Sequence, residues 1–289
     1  MRPSPLLAPS CALALALAVT GCGREDGTAA AVPCAAPSAE SRPELLHQDG
    51  VRITGDDCDA GASRSAAYTV ENSGSVAMTY TITFTIRTDS GEVWSTVDQT
   101  VPSVAPGAAV RRTVTSEDPK ASRIRIEKVR AVPADQARAA GGACPSTGWR
   151  IDAGEPEAAM GLRALALTLV NCSQEVRSVS GYPRLQLLDA ARDPVAGVRI
   201  LDGTNEISTG LRGADVRPGT LRLAPGEAAA ATVAWRNTTD AGPPAVNAPY
   251  LVVRVTADSP GVVFTPELDL GTTGRVGVSP WFRKADPER

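Results

Sequence analysis

Between Leu45 and Pro133 apolar and polar residues alternate with a period of two. Tyr80, Ile82, Phe84 and Ile86 fall on one face and Thr81, Thr83 and Thr85 on the other. That period, with β-branched and aromatic residues, predicts a half-buried strand. The same pattern predicts strands over Val51 to Thr54, Ala66 to Glu71, Val93 to Val101, Ala109 to Thr115 and Ser122 to Val132. Turn signals separate them at Asn72-Ser73-Gly74, Asp89-Ser90-Gly91 and Pro106-Gly107. A second alternating region follows Cys144. Its predicted strands are Trp149 to Ala153, Leu162 to Val170, Arg184 to Leu188, Thr220 to Leu223, Ala228 to Trp235, Leu251 to Thr256 and Val262 to Thr265. Many short strands at this spacing predict an all-β chain of two antiparallel β-sandwich domains. Ala134 to Ala143 reads as the connector between them, or as a short helix. Val198 to Pro218 has little apolar period and reads as a large excursion loop.

The N-terminus breaks this pattern. Arg2 precedes a continuous apolar run from Leu13 to Val19, the charge and apolar regions of an export signal. The run is too short to span a hydrocarbon core, which takes about 20 residues. Val19-Thr20-Gly21-Cys22 resembles a bacterial lipobox. The resemblance implies a diacylglycerol on the Cys22 sulfur and cleavage just before it, so residues 1–21 are a signal peptide and Cys22 a membrane anchor. Residues 22–44, rich in Ala, Gly, Pro and Ser, read as a flexible stalk. The first domain then covers 45–133, the connector 134–143 and the second domain 144–289.

Charge and cysteines narrow the function classes. With 29 basic and 32 acidic residues in 289, the net charge is -3, which leaves no electrostatic footprint for nucleic acid. Aromatics make up only 4%, so stacking platforms are few. Abundant Ala, Gly and Pro, with Arg favoured over Lys, suggest a GC-rich genome such as an actinobacterium's. Once Cys11 is discarded with the signal and Cys22 is given to lipid, Cys34, Cys58, Cys144 and Cys172 remain. Four cysteines allow three pairings. The expected one is Cys34 with Cys58 and Cys144 with Cys172, one bridge per region, stable outside the cytosol.

Two stretches resemble known families. Val70 to Gly74, Tyr80 to Ile86, Ser90 to Val93 and Ala105-Pro106-Gly107 are similar to immunoglobulin-like modules of the FxLYD kind, without the Phe-x-Leu-Tyr-Asp signature. Cys144, Leu169-Val170-Asn171-Cys172, Gly181-Tyr182-Pro183, Leu223-Ala224-Pro225-Gly226, Val233-Ala234-Trp235 and Val278-Ser279-Pro280-Trp281 resemble the actinobacterial family catalogued as domain of unknown function 4232. That resemblance implies a β-sandwich and an envelope location, and no activity.

Candidate chemistry is sparse. His47 is the only histidine, at the edge of the first domain, so a Ser-His-Asp or Cys-His site has no base. Neither a Gly-x-Ser-x-Gly elbow nor a Ser-x-x-Lys pair is present. The acidic cluster Asp56-Asp57-Cys58-Asp59 lacks the spacing of a calcium loop and reads as a solvated turn. In Gly181-Tyr182-Pro183, Gly181 is expected where a Cβ would be crowded, Tyr182 to pack its ring and bond its hydroxyl, and Pro183 to open an edge strand. Of the tryptophans, Trp235 lies on an apolar repeat and reads as core. Trp281 is the best candidate for an exposed ring, although a C-terminal plug is the preferred reading. Trp281, Tyr250 and Arg236 are the candidate binding residues: exposed together they mean a groove, buried they mean scaffold. No cofactor or metal is expected. The expected function is a non-enzymatic, lipid-anchored protein on the extracytoplasmic face of the membrane, whose sandwich loops bind an envelope protein or polymer. The alternatives are a structural spacer and a cell-wall hydrolase working through a carboxylate pair.

Overall fold

A computed structural model describes residues 47–58, 64–118, 120–139, 142–239 and 244–284, all within one compact unit from Cys34 to Arg289. No α-helix occurs among the described residues. Cys22, the stalk and the expected Cys34 to Cys58 bridge lie outside them, as do the side chains of the acidic cluster at 56–59.

The described residues of the first module form seven strands: β1 (His47–Gln48), β2 (Val51–Cys58), β3 (Arg64–Glu71), β4 (Met78–Arg87), β5 (Val93–Val104), β6 (Ala109–Ser116) and β7 (Arg123–Pro133). They form two antiparallel sheets, β1-β2-β3-β6 and β5-β4-β7. Tyr68 and Val70 of β3 meet Ile82, Phe84 and Ile86 of β4 in one core. Each such side chain contributes roughly 1.5–3 kcal/mol on burial. The Tyr68 and Phe84 rings tilt at 55° with centroids 5.0 Å apart. β2 runs on past Thr54 because Asp56, Asp57 and Cys58 still pair with β3. Backbone pairing thus overrides their polar composition, and these residues form strand where a turn was expected. In β7 the alternation of Ile124 and Ile126 skips to Val129. A register shift opposite Thr83 and Phe84 absorbs the extra residue, so all three face inward.

The second module contains β8 (Trp149–Ala153), β9 (Glu157–Ala159), β10 (Leu162–Asn171), β11 (Arg177–Ser180), β12 (Arg184–Leu188), β13 (Arg199–Asp202), β14 (Thr220–Leu223), β15 (Ala228–Arg236), β16 (Val246–Ala248), β17 (Tyr250–Arg254), β18 (Val262–Phe264), β19 (Leu268–Gly271), β20 (Arg275–Val278) and β21 (Phe282–Arg283). The larger sheet runs β13-β20-β15-β10-β8, with β9 on β10 and β21 on β15. Facing it are β12-β17-β18 and the pairs β11-β14 and β16-β19. Leu165, Leu167 and Leu169 of β10 and Ala229, Ala231, Val233 and Trp235 of β15 join one core with Leu251 and Val253 of β17.

The expected excursion loop contains a strand. β13 pairs in parallel with β20, and the residues after it are pinned to the module. Ile207 O accepts from Arg236 Nε at 3.0 Å, and Arg212 O accepts from Thr232 Oγ1 at 2.8 Å. Gly277 permits this close approach, since a Cβ there would lie 2.6 Å from Gly203 O. A short Arg-Ile-Leu-Asp run has too few periods to be recognised as strand, and its partner is remote in sequence.

Both modules are closed by the same buried corner. Asn72 follows β3, is 1% exposed, and donates through Nδ2 to Val76 O and Val104 O, each at 2.8 Å. Its Oδ1 accepts from Gly74 N. Asn171 ends β10, is 0% exposed, and donates to Glu175 O at 2.7 Å and Leu223 O at 2.8 Å. Its Oδ1 accepts from Ser173 N. The backbone repeats too: Gly107 N bonds Asn72 O and Gly226 N bonds Asn171 O, both at 2.7 Å. Each of these glycines sits in an Ala-Pro-Gly turn at positive φ, 69° and 83°, with open space around it. Conformation rather than crowding requires glycine there. The corner therefore ties a strand end, a turn and a returning strand together through one carboxamide.

The modules meet through a small apolar patch in which Val132 of β7 packs with Tyr250 and Val252 of β17 and Val263 of β18. Beside it Arg130 grips Glu267 with two bonds, 2.7 and 3.0 Å, and Lys128 lies 3.7 Å from the same carboxylate. Glu267 is held at positive φ, 56°. The connector docks on this joint: Ala134 N bonds Ala77 O, and Val263 N bonds Gln136 O at 2.8 Å. Residues 134–136 of it form a bonded turn, Ala137 an isolated bridge to Val263, and Gly142 lies in a 3-10 turn.

Two outcomes are expected. Asn171→Ala leaves the carbonyls of Glu175 and Leu223 without their donor, and should cost about 2–4 kcal/mol of second-module stability in urea unfolding. Asn72→Ala should do the same in the first module; a loss under about 0.5 kcal/mol would show that water replaces the amide. Glu267→Ala removes the partner of Arg130 but leaves the apolar patch. The Val263 amide should then exchange with solvent about fivefold faster, as loss of ~1 kcal/mol implies. Unchanged exchange would mean that the patch alone holds the joint.

Candidate functional site: an open flank of the second module

The structure separates the three expected binding residues. Trp281 is 1% exposed and belongs to the core. Ser279, wholly buried, accepts from Thr232 N at 2.9 Å, and Trp281 N bonds Gly181 O at 2.9 Å. The chain is thereby turned inward at Pro280, and the ring plugs the module instead of lining a surface. Tyr250 is 5% exposed. Strand β17 is buried on both faces, Leu251 and Val253 in the module core and Tyr250 and Val252 in the joint, so its tyrosine is structural. Arg236 is half-buried, its Nε spent on Ile207 O. These residues form no shared groove. Trp235 is core, as its strand phase predicts, and its Nε1 donates to Asp269 at 2.9 Å. Trp149 is partly buried under the Arg177 guanidinium, 4.8 Å from the ring centroid. Gly181 has nothing within 4 Å of a Cβ, so its positive φ of 72°, not crowding, explains it. Pro183 does precede an edge strand, since β12 has one sheet neighbour, β17.

The expected bridge between Cys144 and Cys172 is present, closing 28 residues of chain. It fastens the start of the module to the end of β10, next to Asn171. Nearby, Cys172 N bonds Gly148 O, and Arg177 Nη1 donates to Thr147 O.

A concavity distinguishes the second module from the first. In the first, β4 is flanked on both sides, by β5 and β7. Counting from the shared corners, Met78 pairs with Val104 and Arg177 pairs with Leu223, so β11 stands where β4 begins and β14 where β5 ends. In the second module the pairing of β11 and β14 stops at Ser180 and Thr220, with one further bond from Gly181 N to Gly219 O. Gly181-Tyr182-Pro183 then breaks the strand, and β12 resumes with β17 on one side only. The chain that would have run beside it has become β13, in the opposite sheet. The corner bonds span 32 residues in the first module and 52 in the second, and the longer span holds the relocated strand.

What remains is a groove of ≈ 460 Å³ between two sheet edges, lined by Pro183, Arg184 and Leu185 on one side and Arg199, Ile200, Leu201 and Asp202 on the other. Backbone groups point into it. Leu187 O bonds Val195 N, away from β17, so two residues earlier the N–H and C=O of Leu185 also face outward. Arg199 N and Gly203 N both bond carbonyls on the β20 side, so those of Ile200 and Asp202 point the other way. Ile200 is 39% exposed. The charges are uneven. Arg184 lies directly opposite Arg254 across β12 and β17, and Arg199 opposite Arg275 across β13 and β20. Like charges so placed repel. Asp202 lies 3.7 Å from Arg184, and Glu206 lies 3.7 Å from Arg199 and 3.8 Å from Arg275. Four guanidinium groups thus face two carboxylates, on a chain whose net charge is negative. Sequence reading missed this flank because it depends on which sheet β13 joins. The available signal was Arg-Ile-Leu-Asp between Gly197 and Gly203.

Two other concavities bring acids together. Glu267 and Asp269 share one with Arg130, and Asp49 and Glu71 share another with Arg192. Glu267 is held by Arg130 and Lys128. Burial opposes ionisation of Asp269, but hydrogen bonds from Trp235, Asn237 and its own backbone amide, with the charge of Arg163, hold its carboxyl below the usual range. Glu227 is also shifted down, first by the Ala224 amide and then by Arg283. No group of three or more potential metal ligands occurs among the described residues.

The C-terminal half is thus an all-β, disulfide-bridged sandwich with an open flank. Its residues 144–282 match the family model described as Domain of unknown function (DUF4232), and the second module is a member of that family. The chain matches none of the curated proteins.

The bridge yields a prediction. Cys144→Ser with Cys172→Ser should lower second-module stability by ~3 kcal/mol, the chain-entropy value for a loop of this size. Denaturant unfolding of oxidised, reduced and doubly substituted protein measures it. An unchanged midpoint would mean that Asn171 and its partners hold the corner unaided.

Proposed function

We propose that this chain is a lipid-anchored, non-enzymatic protein of the cell envelope that holds two β-sandwiches, the first of immunoglobulin-like build, on the extracytoplasmic face of the membrane and uses the open flank of the second to bind an envelope protein or polymer. The observation that carries the binding role is the groove between β12 and β13, where backbone edges, an exposed Ile200 and surplus arginines converge. The anchor rests on the export-like run ending in Val19-Thr20-Gly21-Cys22, and acyl attachment through more than one chain gives stable retention. No described helix is long and apolar enough to cross a membrane, and anchoring through Cys22 requires none.

The carboxylates argue for binding over hydrolysis. A general acid needs a raised carboxyl pKa, whereas the carboxyls of Glu227 and Asp269 are held down, the first by the Ala224 amide and the second, against its burial, by Trp235 and Asn237. A passive spacer is the second reading, favoured by the bonded joint at Arg130 and Glu267. It leaves the like-charge arginine pairs of the flank without a role.

Cys22→Ala should release the chain from washed membranes into the soluble fraction and abolish its metabolic labelling with palmitate. Retention without label would remove the anchor. Immobilised wild-type chain should retain an envelope component that a chain carrying Arg184→Glu and Arg199→Glu does not. Equal retention by both would remove the flank as the binding surface.

A further inference from the structure

Resting on the binding reading, we propose that the groove between β12 and β13 takes an extended acidic polypeptide segment, which adds as a strand to the free edge of β12. Three independent features of the flank select this occupant over a folded surface or a small molecule.

The first is the comparison within the chain itself. Beside β4 of the first module runs the N-terminal half of β5, with Thr85 opposite Thr96 and Ile86 opposite Ser95. Beside β12 the chain pairs only at the far end, where Pro194 bridges Leu188 and Val195 N bonds Leu187 O; along Arg184 to Gln186 no strand of this chain continues the sheet, although β11 immediately before it has its partner β14. The architecture thus accommodates a strand at that place, and in the second module the sequence sends its own strand elsewhere. Strand addition at an exposed edge derives its affinity from main-chain bonds, and Leu185 supplies an outward N–H and C=O for them.

The second is the alternation of side chains along that edge. Leu185 and Leu187 pack against the module core, so Arg184 and Gln186 lie on the other face. Side chains of an added strand would alternate in the same way. One set would meet Leu185 and the exposed Ile200, and the next would meet Arg184 and its neighbour Arg254. The partner segment therefore alternates apolar and acidic residues.

The third is charge. Arg184 opposite Arg254 and Arg199 opposite Arg275 are repulsive pairings that an anionic segment relieves. Asp202 and Glu206 offset only part of the positive charge. A free inorganic polyanion would satisfy the arginines but would use neither Leu185 nor the backbone edge, which is why the polypeptide is favoured.

The test uses the full chain and a fluorescein-labelled octapeptide alternating valine and glutamate, read by fluorescence anisotropy. Saturable binding is expected, about tenfold weaker for Arg184→Glu or Arg199→Glu and unchanged for Arg111→Glu on the exposed face of the first module. The same octapeptide N-methylated at every residue, which has no N–H left to pair as a strand on either edge, should not bind. That comparison uses wild-type protein, so it decides the matter even if a charge variant fails to fold. Absence of octapeptide binding overturns the proposal, as does equal binding of the N-methylated form. Displacement by polyphosphate at equal charge concentration would also overturn it, by showing an unselective anion surface. The wider reading is tested separately: if the octapeptide does not bind while the wild-type chain still captures an envelope component through Arg184 and Arg199, only the strand proposal fails, whereas equal capture by the Arg184→Glu, Arg199→Glu chain removes the wider reading.

Discussion

Two buried carboxamides, Asn72 and Asn171, fix where each sandwich can close. A β-sandwich has to pass its chain from one sheet to the other without leaving backbone groups unpaired inside. Here a single side chain spans the gap, donating both amide hydrogens to carbonyls of separate segments and accepting from the turn that follows. Asparagine suits the position because it carries both donors and an acceptor on a short stem. Aspartate would lack the donors, and glutamine would add a methylene to a fully packed site. Everything downstream inherits this geometry: the returning Ala-Pro-Gly turns, the register of β6 on β3 and β15 on β10, and, in the second module, the location of Cys172 for its bridge.

The strands of each module, though not their order, were legible where the period of two was long enough. Met78 to Arg87 and Leu162 to Asn171 carry several full alternations, and their apolar residues are buried in phase, although Thr79 and Thr85 on the other face of β4 are buried as well. The period fails for β9, β11, β13 and β16, runs of three or four residues whose strand character comes from a neighbour. It fails differently at β17, which is apolar on both faces because one face belongs to the joint. That same fact misplaces Tyr250: from sequence it is a ring just before the strand expected over Leu251 to Thr256, and only the docking of Val132 and Val263 shows why it is covered. Trp281 was legible as a plug but not as an excluded surface, because its direction depends on the buried Ser279 two residues earlier. The open flank had one faint signal, the Arg-Ile-Leu-Asp run between Gly197 and Gly203. Its existence depends on β13 joining β20 in parallel, and a parallel contact across more than 70 residues leaves no local trace.

The motif Gly181-Tyr182-Pro183 acquires its meaning from the same comparison between modules. In the first module β4 continues unbroken through the equivalent place and keeps β5 beside it. In the second, Gly181 takes a left-handed conformation, Pro183 has no N–H for a ladder, and Gly181 O is spent on Trp281 N. Those three properties end one pairing and begin another within three residues. The motif is therefore the device that uncouples β12 from β14, and the edge along Leu185 follows from it. Tyr182, half-buried against the core, anchors the break so that the two halves stay aligned.

On the reading proposed here, the joint between modules matters as much as the groove. If the two modules flexed freely, the flank would sample every orientation, and each binding event would incur the cost of ordering the pair. The patch of Val132, Tyr250, Val252 and Val263 removes that freedom cheaply: few side chains are buried, and they lie on a strand that is already rigid. Arg130 adds direction, because a bidentate grip on Glu267 fixes rotation about the joint in a way that an apolar contact does not. The positive φ at Glu267 places the carboxylate for that grip and would be a needless cost in a passive connector. The bonded joint ensures that the flank is presented as one preformed surface.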